Sequence, residues 1–275
     1  MAEPHSLMRG TLVVAVVLGF TVVACVAGED PGSGEVTPTL SPPLLPVRAP
    51  FQSMTGDELF ARLLEHNRLR DVRLQRYSAV RTYSVTSDKG KVYAREVVRL
   101  DYQAPDHKSF RTMSEEGSGL VRGLVLKRLI ESESETSSGR AHHDSAIKSA
   151  NYEFRLLGEQ DVGPYHCLVV ETIPKRKDKY LFEGRVWIDA EDYAIVRIAG
   201  HPAKSLSFWI TRADFVRQYQ RIGGFWLPAQ DETLVHVRLY GKKILTIHHG
   251  QYVVNEDAGG TGPRLTAEDQ ASEGP

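Results

Sequence analysis

Residues 152–200 read YEFRLLGEQDVGPYHCLVVETIPKRKDKYLFEGRVWIDAEDYAIVRIAG. Polar and apolar side chains alternate through YEFRLLGEQ, YHCLVVETIP, KYLFEGRVWID and YAIVRIAG, with turn formers between them at Val162-Gly163-Pro164 and Ala190-Glu191-Asp192. A period of two marks a strand with one buried face, and separators this short allow only hairpins, so the segment is an antiparallel meander. The pattern continues on both sides. Upstream, 77–86, 91–102 and 107–114 alternate around Asp88-Lys89-Gly90 and Ala104-Pro105-Asp106. Downstream, SLSFWITRADFVRQYQ, ETLVHVRLYG and KKILTIHHGQYVV do so around Gly223-Gly224, which brings the count to about ten strands.

Two stretches have the helical period instead. In 53–64, Thr55 caps a first turn holding Asp57 and Glu58, and Leu59, Phe60, Leu63 and Leu64 recur at helical spacing. In 120–130, LVRGLVLKRLI, the residues Leu120, Val121, Leu124, Val125 and Leu129 fall on one stripe. A meander with one wet face needs cover for the other, and a large open sheet curls. The expected fold is therefore mainly β (α+β): a strongly curved, unclosed antiparallel half-barrel of about ten strands with helices as a lid over the concave face.

Composition narrows the function. The chain has 34 Lys+Arg against 35 Asp+Glu, a net charge of -1, so it carries no field that seeks a polyanion; with no zinc-finger or RNP pattern, nucleic acid is excluded as a partner. Two cysteines, Cys25 and Cys167, cannot build a disulfide framework or a thiolate metal site.

Residues 11–28, TLVVAVVLGFTVVACVAG, carry no charge, follow Arg9 and precede Glu29-Asp30-Pro31. This reads as an export signal; a permanent span, which needs about 20 apolar residues, is the competing reading. Translation starts at Met1 or at Met8, whose Met8-Arg9-Gly10 leader lacks Glu3. Val22-Val23-Ala24-Cys25 resembles a lipobox that would lipidate Cys25, and Val26-Ala27-Gly28 offers cleavage after Gly28. The chain thus divides into a signal peptide (1–28), a Pro/Gly-rich tether (29–52), a folded domain (53–256) and a disordered tail (257–275).

Tyr152-Glu153-Phe154-Arg155-Leu156-Leu157-Gly158, then Cys167-Leu168-Val169-Val170-Glu171, the Pro174 to Tyr180 hairpin and Val186-Trp187-Ile188-Asp189 resemble the LolA/LolB-like outer-membrane lipoprotein-sorting superfamily. The Pro174 to Tyr180 hairpin running into Trp187-Ile188-Asp189 is also similar to the N-terminal domain of the RseB/MucB sigma-factor regulators, members of the same fold group. The resemblance covers about residues 55–255 and implies a helix-lidded half-barrel over a hydrophobic cavity. It further implies a periplasmic, non-catalytic carrier of lipid or lipoprotein acyl chains, anchored to a membrane where a lipobox cysteine such as Cys25 is lipidated. The alternative is an envelope-stress sensor that binds a lipid or lipoprotein signal and a protein partner. A monomer is expected.

The cavity would be walled by the lid stripe Leu120, Leu124, Val125 and Leu129 and by alternate strand residues Tyr180, Phe182, Val186, Ile188, Val196, Ile198, Phe208 and Ile210, or these same residues pack a dry core. Lys175, Arg176 and Lys177 form the densest basic stretch, suited to phospholipid headgroups or to a solvated turn. No catalytic residue is assigned: His166 and Cys167 are adjacent on a strand and point to opposite faces. No metal or other cofactor is expected either. His142-His143-Asp144 and His248-His249 lack zinc spacing and read as surface histidines, and Asp189-Ala190-Glu191-Asp192 reads as a turn.

Overall fold

The computed structural model describes residues 54–104, 107–127, 129–130, 147–178, 180–206, 208 and 210–255. The export segment, Cys25, the tether, the tail and His142-His143 lie outside them. Ten strands form one antiparallel sheet: β1 (Arg76–Ser87), β2 (Val92–Gln103), β3 (His107–Gly117), β4 (Tyr152–Val162), β5 (Tyr165–Pro174), β6 (Phe182–Asp189), β7 (Ile195–Pro202), β8 (Ile210–Ile222), β9 (Phe225–Val237) and β10 (Gly241–Val254). Their order, β3-β2-β1-β10-β9-β8-β7-β6-β5-β4, leaves β3 and β4 as edges, so the half-barrel is unclosed. Neighbours in space are neighbours in sequence except at one seam, where β10 returns to pair with β1 and Leu245 lies opposite Val85.

Helix α1 (Gly56–Arg73) starts where its sequence dictates. The Thr55 hydroxyl accepts the Glu58 N–H at 3.2 Å and the Glu58 carboxylate accepts the Thr55 N–H at 2.8 Å, a reciprocal capping box. Asp57 and Glu58 in the first turn and Arg70 and Arg73 in the last complement the helix dipole. Leu59, Phe60 and Leu63 are buried against Val170 of β5, Val186 and Ile188 of β6, Ile198 of β7 and Phe215 of β8. Phe60 stacks on Phe154 of β4 with ring centroids 3.8 Å apart.

The second helical segment is α2 (Gly119–Val121), which runs into a π-helical turn, Arg122–Leu126. Leu126 and Leu129 descend onto Tyr83 and Val85 of β1, Ala94 and Val98 of β2, and Leu245 and Ile247 of β10. Register links the two clusters: Phe215 is opposite Thr233, Thr233 opposite Leu245, and Leu245 opposite Val85. Paired residues share a face, so both helical segments cover the same, concave side. A smaller cluster of Cys167, Val169, Trp187 and Val196 lies on the convex side.

Candidate functional site

Between the two apolar clusters the concave face turns polar. Arg217 of β8 is paired through its Nε with Asp231 of β9, and the other Asp231 oxygen accepts Nε2–H of His249 on β10 at 2.8 Å. Arg81 of β1 stands opposite His249, and its Nη1 lies 3.4 Å from the Tyr83 hydroxyl. Burial alone would raise the Asp231 carboxyl, but the Arg217 charge and the hydrogen bond from His249 outweigh it, and the group is held below the ordinary carboxylate value. Burial, then the Arg81 charge, depress the His249 imidazole despite Asp231. The ring is therefore neutral at pH 7, with its proton on Nε2. Its Nδ1 and the Thr233 hydroxyl are buried without a hydrogen-bond partner among the described residues.

The wall of the concave face opens at one place. Strands β7 and β8 pair only from Arg197↔Gln218 to Gly200↔Phe215; beyond that, among the described residues, β7 continues to Pro202 and β8 begins at Ile210 with no rungs between them. A cleft of about 460 Å³ fills this splay. Its floor includes Leu206, Ile210 and Ala213, and its rim includes Lys204 and Arg212. Ile210 and Ala213 pack with Val235 of β9, on the concave side by register, so the cleft gives onto that face. The volume is in the range of small-molecule sites.

The expected cavity residues fall in different places. Phe182, Val186, Ile188 and Ile198 lie together on the concave face beneath α1. Ile210 is in the cleft floor. Leu129 is buried and Val125 half-buried over β1, β2 and β10, so the lid stripe and this wall belong to separate clusters. Val196 lies on the convex face with Trp187, because Trp187 pairs with Arg197 while Ile188 pairs with Ile195, and the extra residue of this bulge is Val196. Phe208 is 71% exposed in the β7–β8 connection, under the Arg238 guanidinium at 4.6 Å. Leu120 is exposed and Tyr180 half-buried in the β5–β6 connection, while the Leu124 side chain lies outside the description.

In the basic stretch, Lys175, Arg176 and Lys177 are all exposed, and Arg176 also bonds Asn151 at 2.7 Å and meets Asp178 at 3.5 Å. Burial pushes the Cys167 thiol up to about 12. His166 faces outward on Asp161 at 2.8 Å. His248 and His249 diverge, but His249 is 8% exposed, not a surface residue. The Arg217, Asp231 and His249 cluster was not legible in advance; the available signal was Asp231, Thr233 and Val235 sharing one side of β9.

No family model and no curated protein matches the sequence. Among solved structures, the chain is similar to a DUF1329 family protein from Desulfovibrio piger, at 12% identity over 76% of this chain and 96% of that one, with a TM-score of 0.38. A LolA superfamily protein from Nitrosomonas europaea aligns at 8% identity over 74% and 95%, TM-score 0.33. An outer membrane lipoprotein-sorting protein domain from Vibrio parahaemolyticus aligns at 12% identity over 74% and 95%, TM-score 0.37.

Proposed function

We propose that the protein is a non-catalytic cell-envelope carrier that holds an acyl chain, of a lipid or a lipoprotein, on its concave face, with the splay between β7 and β8 as the way in. The cleft of about 460 Å³ carries this reading: it interrupts the sheet ladder and has apolar Leu206, Ile210 and Ala213 in its floor. An acyl chain asks for no hydrogen bonds and gains about 0.8 kcal/mol per buried methylene, so such a face binds without any catalytic group. Release needs no bond broken. Lys204 on the rim suits the anionic end of such a ligand. Export through 11–28 would deliver the protein to the periplasm, and lipidation of Cys25 would tether it by 29–52 to a membrane.

The test is mass spectrometry of the protein recovered from the cell envelope without detergent, under native and denaturing conditions. A noncovalent lipid adduct, lost on denaturation and absent from Ala213→Phe, which fills the cleft floor, is the expected result. A bare native protein that also fails to take up a fluorescent fatty acid would overturn carriage and favour a protein-binding sensor.

A further inference from the structure

At the opposite end of the strands from the splay, a second cleft of about 500 Å³ lies between the last turns of α1, the β6–β7 connection and the β8–β9 turn. It is lined by His66, Leu69, Arg70, Arg73, Asp192, Arg221 and Gly224. Arg70 is a strut: Nη1 donates to the Asp192 carbonyl at 2.7 Å, and Nη2 donates to the Tyr193 carbonyl at 3.2 Å and to Asn67 at 2.8 Å. Its donors fix the turn while its charge faces the cleft. Arg221 meets Asp192 through Nε at 3.4 Å, and that carboxylate also accepts the Trp226 indole N–H at 3.0 Å. Arg73 lies over the Phe225 ring at 5.9 Å.

The helix dipole accounts for Arg70 and Arg73, which end α1, but not for Arg221, which comes from β8. Two separate elements thus aim three guanidinium groups at one cleft, against the carboxylates of Asp192 and Asp71. Among the described residues, neither Arg73 nor Arg221 has a bidentate carboxylate partner. Burial first, and then repulsion from Arg73 and Arg221, hold the Arg70 guanidinium below its ordinary value despite both acids, so the three charges sense one another. Gly224 lines the cleft from the β8–β9 turn, where Gly223 and Gly224 hold backbone φ of 55° and 83°, the region that favours glycine.

We propose that this cleft is a binding site for a phosphate group, with Arg73 and Arg221 as the ligands and Arg70 as the fixed charge behind them. Planar guanidinium forks match phosphate oxygens two at a time, and the volume exceeds what a lone carboxylate fills. The site is independent of what the concave face holds. A free phosphate and the headgroup of a phospholipid offer the same chemistry, and the experiment separates them.

Isothermal titration of the protein recovered from the envelope, at constant ionic strength, uses inorganic phosphate, monomeric dihexanoylphosphatidic acid and acetate. Binding of either phosphate probe, weakened tenfold or more in Arg73→Gln/Arg221→Gln and unchanged in Arg155→Gln on distant β4, is the expected result. Tighter binding of the lipid assigns a headgroup, and equal binding assigns the free anion. Failure of both phosphate probes, acetate binding as tightly as phosphate, or an undiminished double variant would each overturn the proposal. Both exchanged arginines are exposed, and an unchanged urea midpoint establishes that the variant is folded.

Discussion

His249 sits where charge is buried on the concave face, and the direction of its pH effect follows from its neighbours. Its imidazole is held below the ordinary 6.5 in the fold, so the unfolded chain binds the extra proton first. Stability falls as pH drops below 6.5, by at most about 1.4 kcal/mol per pH unit, until the folded ring itself is protonated. Asp231, depressed below 3.8, adds a second loss in stronger acid. His249→Gln keeps an N–H for Asp231 without a titrating ring. Urea midpoints between pH 7.5 and pH 5 should therefore decline more steeply in the native protein than in the variant; equal declines would assign the effect to other groups. Asp231→Ala, by contrast, strands Arg217 in the interior and should cost about 3–5 kcal/mol, read from the same denaturation curve. The alternation puts Arg217 in phase with Phe215, Asp231 with Val235 and His249 with Ile247, but it does not show that three strands bring these polar groups together. His249 turns inward with Leu245 and Ile247 while His248 turns out, and its register opposite Arg81, a contact between distant strands, supplies the charged neighbour. Val196 was misplaced for a related reason: one bulge residue reverses the parity that sequence spacing assumes.

Among the elements, helix starts were legible and helix ends were not. Thr55, Asp57 and Glu58 announce the start of α1, but its second half, EHNRLRDVR, is mostly polar and has no continuous apolar stripe. Tertiary bonds from Arg70 to the β6–β7 turn hold it to Arg73. Gly56 matters at the other end, since an added Cβ would come within 2.5 Å of the Phe154 carbonyl oxygen. Gly56→Ala gains at most about 1 kcal/mol in helix propensity and loses about 1–3 kcal/mol to overpacking. The expected balance is a loss, measured as a lower thermal midpoint; an unchanged midpoint would mean that α1 can slide away from β4. In the second helical segment the expected stripe assumed 3.6 residues per turn. The π-helical turn, in which the Lys127 N–H reaches the Arg122 carbonyl, widens that spacing. Fully buried Leu126 was therefore missed, while Leu120 faces solvent. The basic hairpin divides in the same way between structure and surface. Arg176 is exposed but ties the connection to Asn151, so Lys175 and Lys177 are the cations whose exchange tests an anionic membrane without loosening the hairpin. Lys175→Glu/Lys177→Glu should reduce co-sedimentation with phosphatidylglycerol vesicles while leaving the fold intact, and undiminished sedimentation would assign the lysines to a solvated turn.

For the whole molecule, the order of strands was readable because turns this short force neighbours to pair, and the separators between β4 and β10 are all short. The seam was not readable. Nothing in the alternation of β1 says that its second neighbour is β10, with Val85 and Leu245 about 160 residues apart. That seam joins the three-stranded meander β1–β3 to the seven-stranded meander β4–β10, and its formation has to follow closure of a long loop whose entropy opposes early contact. The hairpins that flank it need no such closure. Leu245, buried at the seam between Val85 and Thr233, contributes its packing after the rate-limiting step if the meanders form first. Leu245→Ala should cost about 2–5 kcal/mol, and nearly all of that loss should appear as faster unfolding with little change in the folding rate. Leu234→Ala, in the local β8–β9 hairpin, should instead slow folding. Stopped-flow chevrons of the two variants decide the order of assembly. A slower folding limb for Leu245→Ala would mean that the seam, and with it the full concave face, is already built in the transition state.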